Sequence, residues 1–158
     1  MVPSPVFMNY TFFICGKPIA QPRPRTFSKN GITRTISDSK HSKNWKNAIK
    51  AQCPRIPKIT VPVEIVLLFS FLRPKSHFKS DGVTLSKTAL TKFPTDCCTS
   101  KGCGDIDNLA KTVFDAFDSI HIFEDDSQIW SVLAKKQWCY SSQWQGVTVS
   151  IRAKADEI

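Results

Sequence analysis

The chain has 158 residues, 41% hydrophobic and 22% charged, a length for one domain and a composition that excludes wholesale disorder. Its longest apolar run, Ile65 to Phe71, is interrupted by Ser70 and falls well short of the roughly 20 residues that span a bilayer. The net charge is +9 and unevenly spread: Asp105 to Asp126 holds seven acids against one base, Lys111, which leaves +15 on the rest. A basic body around an acidic centre suits a polyanion handled at a cation-binding spot. A basic protein with one solvated acidic helix explains the charge equally well. No basic stretch precedes the apolar residues of Met1 to Cys15, so no secretory signal is expected.

In chain order, Tyr10 to Cys15 is aromatic and apolar and predicts a first strand. Gln21-Pro22-Arg23-Pro24-Arg25 is extended and basic, because two prolines forbid regular helix. Asn30-Gly31 between β-prone runs predicts a hairpin, since both residues tolerate positive φ. Ser37 or Asp38 is expected to cap a helix running to about Gln52, with Trp45, Ala48 and Ile49 on its apolar side. Lys43, Lys46 and Lys50 share one face of that helix. The face is either solvated or a phosphate-contacting stripe, and nearby Arg23 and Arg25 favour the second.

Prolines at 54, 57 and 62 end the helix, and Val63 to Leu72 reads as a buried strand. Arg73 to Cys103 is long and polar; loops of that length are functional or mobile. Segment 76–104 is therefore read as an insertion into a single domain spanning 1–158. Cys97, Cys98 and Cys103 crowd into it without a C-x-x-C pair or a nearby histidine, so reduced thiols are expected rather than zinc. Asp107 to Phe117 predicts a helix with Leu109, Val113, Ala116 and Phe117 as its apolar stripe. Asp107, Lys111, Asp115 and Asp118 line the opposing stripe. Gln128 to Trp138 and Gly146 to Ala153 predict two closing strands. Trp130, Trp138 and Trp144 are assigned to the core, where large aromatics dominate the energetics.

The acidic centre carries the chemistry. Asp105 and Asp107, two apart at an extended helix entry, point the same way. Asp125 and Asp126 come just before the next strand. If the helix returns the chain to the same sheet edge, three or four carboxylates converge and require a cation. Carboxylate oxygens suit Mg²⁺ or Mn²⁺, which serve phosphodiester hydrolysis. Lys111, one turn after Asp107, could orient water or stabilise charge on the phosphate. Singly, each piece has an ordinary explanation: a helix cap, a helical ion pair, a turn.

Together these residues resemble the RusA-type Holliday-junction resolvases, endodeoxyribonucleases of bacteria and their phages. The resemblance rests on Asp105-Ile106-Asp107-Asn108-Leu109-Ala110-Lys111, then Phe114-Asp115-Ala116-Phe117, then Phe123-Glu124-Asp125-Asp126-Ser127-Gln128-Ile129. Lys136, eight residues after Gln128, and the Gly16 to Arg25 stretch add weaker support. The resemblance implies a small α/β (α+β) fold, a mixed β-sheet with two main helices, in a homodimer using Mg²⁺ or Mn²⁺. It implies paired nicks in four-way DNA junctions, inside the cell. It assigns Asp105, Asp107 and Asp126 as catalytic metal ligands, Lys111 as the catalytic lysine and Asp125 as a supporting ligand. Arg23, Arg25, Lys43, Lys46, Lys50 and Lys136 are the expected DNA contacts. Two other readings compete: a non-catalytic nucleic-acid-binding protein on the same scaffold, and a D-x-D glycosyltransferase. The second leaves Asp125 to Gln128 unexplained.

Overall fold

A computed structural model describes residues 6–36 and 39–155. Four strands make a mixed sheet in the order β1–β6–β4–β5. They are β1 (Val6–Cys15), β4 (Val63–Leu72), β5 (Ile129–Cys139) and β6 (Gly146–Ala155). A separate two-stranded hairpin, β2 (Arg25–Lys29) with β3 (Ile32–Ile36), follows β1. The helices are α1 (Lys40–Gln52), the short α2 (Lys87–Lys92) and α3 (Ile106–Ser119). The expected small α+β arrangement with two main helices is present.

Side-chain alternation sets which face is the core. In β4, Val63, Ile65, Leu67, Phe69 and Phe71 are all buried, while Val66 and Leu72 on the other face are exposed. The apolar stripe of α3 meets the buried face: Leu109, Val113, Ala116 and Phe117 have no exposed surface. Burial of each large apolar side chain contributes roughly 1.5–3 kcal/mol, so this contact fixes the rotation of α3 and turns its acidic stripe outward. Trp45 and Ile49 anchor α1 beside it.

Strands β4 and β5 run parallel, and a parallel pair needs a long crossover. Residues 73–128 supply it. Helix α3 begins beside Lys136, late in β5, whose Nζ donates to the Gly104 carbonyl at 2.8 Å. It ends where Phe123 bridges Ile59, just before β4. The helix thus runs the length of the sheet and returns the chain to the opposite end.

Several expectations shift. The α1 cap is Ser39, whose hydroxyl accepts from the Ser42 N–H, and Ser37 and Asp38 lie outside the described residues. Segment 76–104 is not a bare loop. Arg73, only 3% exposed, donates to the carbonyls of Phe93 (3.0 Å) and Thr95 (2.8 Å). Its guanidinium also lies over the rings of Trp138 and Tyr140. Backbone bonds from Cys98 to Lys136 and from Trp138 to Asp96 then tie the segment to β5. Of the three tryptophans assigned to the core, Trp138 is buried, but Trp130 and Trp144 are 66% and 61% exposed. Their strand and turn positions fall at the sheet margin, where no second layer covers them.

Candidate active site

Gly104 sets the entry to the acidic helix. Its φ is +91°, and a Cβ there would approach the Ala20 Cβ to 2.7 Å. Glycine is suited to both demands. The Gln21 N–H bonds to the Asn108 carbonyl at 3.0 Å, so the extended segment before β2 is fastened to the first turn of α3. Asp105 is the N-cap residue, with extended backbone and no side-chain capping bond. Asp107 follows in the first turn, exposed like Asp105. Both residues lie at the N-terminal, positive end of the helix dipole.

The other acids lie at the far end. Asp118, in the last turn, is hydrogen-bonded to Asp126. Partial desolvation and the carboxylates of Asp126, Asp115 and Asp125 push its pKa up to about 7. Such crowding of oxygen donors, offset at Asp115 by Lys46 and Lys111, is the chemistry that a hard divalent cation relieves. The carboxylates at each end of α3 are hard oxygen donors of the kind that Mg²⁺ or Mn²⁺ takes. However, at 1.5 Å per residue the helix separates Asp107 from Asp118 by roughly 17 Å. Among the described residues no three His, Cys, Asp or Glu side chains come together as a metal site. The expected convergence of Asp105, Asp107, Asp125 and Asp126 within one chain is not found. A crossover helix delivers the chain to the opposite end of the sheet, not back to the edge it left.

Asp118 is the residue that sequence reasoning left out of the site. Its only sequence signal was membership of the polar stripe with Asp107, Lys111 and Asp115. Lys111 is largely exposed and lies 3.6 Å from Asp115, one turn on. Lys46 approaches the same carboxylate at 3.8 Å. Part of the expected α1 phosphate stripe is therefore engaged with α3, while Lys43 is exposed and Lys50 half-buried. Arg23 is exposed; the side chain of Arg25 lies outside the described residues. Lys136, expected on DNA, donates to the Gly104 carbonyl.

Gln128 explains its place in the motif. Its Oε1 accepts from the N–H groups of Glu124 (2.8 Å) and Asp125 (2.9 Å). Its Nε2 donates to the carbonyls of Ile59 (2.8 Å) and Val61 (3.1 Å). One amide therefore fastens the Asp125–Asp126 turn to the entry of β4, using both ends of its hydrogen-bonding capacity. Gln128→Leu strands two donors and two acceptors at about 1 kcal/mol each. A loss of roughly 2–4 kcal/mol is expected, read as a fall of several degrees in Tm. A Tm within one degree of wild type would show that the amide does not hold the turn.

Beside the α3 entry, the Cys98 and Cys103 sulfurs lie 3.0 Å apart, and a hydrogen bond from the Cys103 thiol stabilises the Cys98 thiolate. That contact, with a backbone bond from Ser100 and the charges of Lys136 and Arg73, brings Cys98 down to about 7, against the cost of its burial. All six cysteines are free.

No helix among the described residues is long and apolar enough to cross a membrane. No curated protein matches the chain. A family model described as Endodeoxyribonuclease RusA matches residues 16–152. The matched span contains the hairpin, α1, segment 76–104, the whole of α3 and the Gln128 turn. With the acidic motif intact within it, this chain belongs to the RusA endodeoxyribonuclease family.

Proposed function

We propose that this chain is a Mg²⁺- or Mn²⁺-dependent, structure-selective endonuclease that resolves four-way DNA junctions by paired nicks. The observation that carries the reading is a complete acidic motif, exposed along α3, on an otherwise basic chain of an endodeoxyribonuclease family. Asp105 and Asp107 from one end of α3, and Asp126 with Asp125 from the other, would hold the metal. When bound, the ion lowers the pKa of its water and stabilises charge on the attacking and leaving oxygens. Asp118, in contact with Asp126, constrains that carboxylate. Lys111, held near the acidic stripe by Asp115, supplies positive charge for the phosphate. Arg23, Lys43 and Lys50 add phosphate affinity that is independent of sequence.

A second copy supplies what one chain separates. The outer edge of β5 is bridged at Gln137 by Cys97, but before that point it has no strand partner among the described residues. Its first half shows Trp130, Val132 and Leu133 to solvent and carries no charge from Ile129 to Ala134. Such an edge is a pairing template. Antiparallel pairing of two such edges runs the Asp126 end of one strand toward the Lys136 end of the other, where the partner's α3 begins. Each C₂ dimer then holds two composite sites, matching the two strands a junction resolvase must cut.

The test is cleavage of four-way, flapped and linear DNA of matched sequence, with and without Mg²⁺. Paired nicks in the four-way junction, only with metal, are expected from a protein that sediments as a dimer. Junction binding without cutting under any divalent metal would leave the non-catalytic reading. The thiols have no place in this chemistry. A variant with Cys97, Cys98 and Cys103 all changed to Ser is expected to keep metal-dependent cutting within a few-fold of wild type. Loss of cutting in a variant that melts normally would assign the thiols a role.

A further inference from the structure

The β2–β3 hairpin is absorbed neither by the acidic site nor by the core. It forms its own sheet, joined to no strand of the main one among the described residues. Asn30 and Gly31 both have positive φ, 54° and 74°, the tight turn whose twist matches paired strands. The arm is therefore ordered by its own ladder of five residue pairs.

Its two faces differ in chemistry. Opposed residues of an antiparallel pair share a face. Thr26 with Thr35 and Ser28 with Thr33 cover one side with hydroxyls in mutual contact. On the other side Phe27 opposes Arg34 and Lys29 opposes Ile32. Phe27 is 46% and Ile32 58% exposed. With Lys29, Asn30 and Arg34 they line an open groove of about 340 Å³. An aromatic ring and an aliphatic side chain flanked by two cations make a poor solvated surface. They match a flat base with phosphates on either side. The surroundings reinforce this: the first 37 residues contain five bases and no acid, and no acid follows until Asp38, so nothing there repels a polyanion.

We propose that this hairpin reads the branch point of the DNA: Phe27 stacks on a base left unpaired or unstacked at the junction, while Lys29 and Arg34 hold the flanking phosphates. The proposal rests on the reading of the chain as a branched-DNA endonuclease and adds the element that distinguishes branched from linear duplex. A continuous duplex offers no exposed base face to Phe27. A branch point does, so the aromatic contact is available only there.

The test is metal-free binding of the full chain to a four-way junction and to a linear duplex of the same sequence, each carrying 2-aminopurine at the branch position. Wild type is expected to raise 2-aminopurine fluorescence on the junction only. Phe27→Ala should lose that rise and bind the junction about 5- to 100-fold more weakly, with duplex affinity unchanged. Phe27→Trp, which keeps a stacking face, should restore the junction affinity. The double change Lys29→Ala with Arg34→Ala should weaken binding to both DNAs and lower the salt slope by up to about two. Normal junction affinity and fluorescence in Phe27→Ala would overturn the proposal. So would an equal loss on duplex, or conversion of a dimer to a monomer, which would make the hairpin a protein contact. Because binding is read without metal, the two readings fail separately. A wild type that cuts junctions without a Phe27-dependent signal removes only the hairpin's role. One that shows the signal but never cuts removes only the nuclease reading.

Discussion

A mixture of Asp107→Asn and Asp126→Asn subunits is expected to cut DNA although neither variant does alone. Each change removes one oxygen donor from a set that needs several, so each homodimer should lose Mg²⁺-dependent cleavage. In a heterodimer of composite sites, one site receives both defects and the other receives neither. Random pairing makes half the dimers mixed, each with one working site of two, so recovery to about a quarter of wild-type nicking follows from the C₂ arrangement. The product should be a nicked junction with few resolved duplexes, because paired incision needs both sites. Co-purification of two differently tagged subunits verifies that mixed dimers are present. If mixed dimers stay inactive, each site lies within one chain, and the roughly 17 Å separation along α3 must be closed by rearrangement. If either single variant keeps near-normal cutting, the acidic motif is not the catalytic centre. Metal-free junction affinity should hold or rise in both variants, since each removes a negative charge that faces a polyanion.

Lys111→Ala is expected to lower the cleavage rate by about 10² to 10³, the usual consequence of removing one well-placed charge stabiliser. Stability should barely change. The Lys111 side chain is 60% exposed and pairs with Asp115 across one helical turn, an arrangement that contributes only about 0.3–0.5 kcal/mol. Lys46 also approaches Asp115, so that carboxylate keeps a cationic neighbour in the variant. The checking measurements are single-turnover cleavage at saturating Mg²⁺ and melting temperature. A rate within three-fold of wild type would make Lys111 a solvated helix residue. A normal rate of cutting with a large fall in Tm would make the polar stripe structural.

The local elements were legible from residue pattern because short-range forces set them. Val63 to Leu72 alternates into a buried strand of those bounds, Asn30-Gly31 makes the turn its positive φ values require, and Leu109, Val113, Ala116 and Phe117 place one stripe of α3 in the core. The acidic motif, too, was legible in residue types and spacing. What the residues could not reveal was distance in space. Twenty-one positions separate Asp105 from Asp126, and whether they meet depends on the parallel pairing of β4 with β5. A parallel pair sends its crossover helix the length of the sheet, so the two halves of the motif lie at opposite ends of one chain. The turn after α3 brings Asp118 onto Asp126, and long-range packing commits Lys46 to Asp115. It also gives Gln128 its partners at Ile59 and Val61, nearly seventy residues away in sequence. Segment 76–104 read as a loop because its order comes from Arg73, a buried cation that donates to main-chain carbonyls and lies over aromatic rings. No periodicity announces such a contact, because it is made between segments that chain order keeps apart.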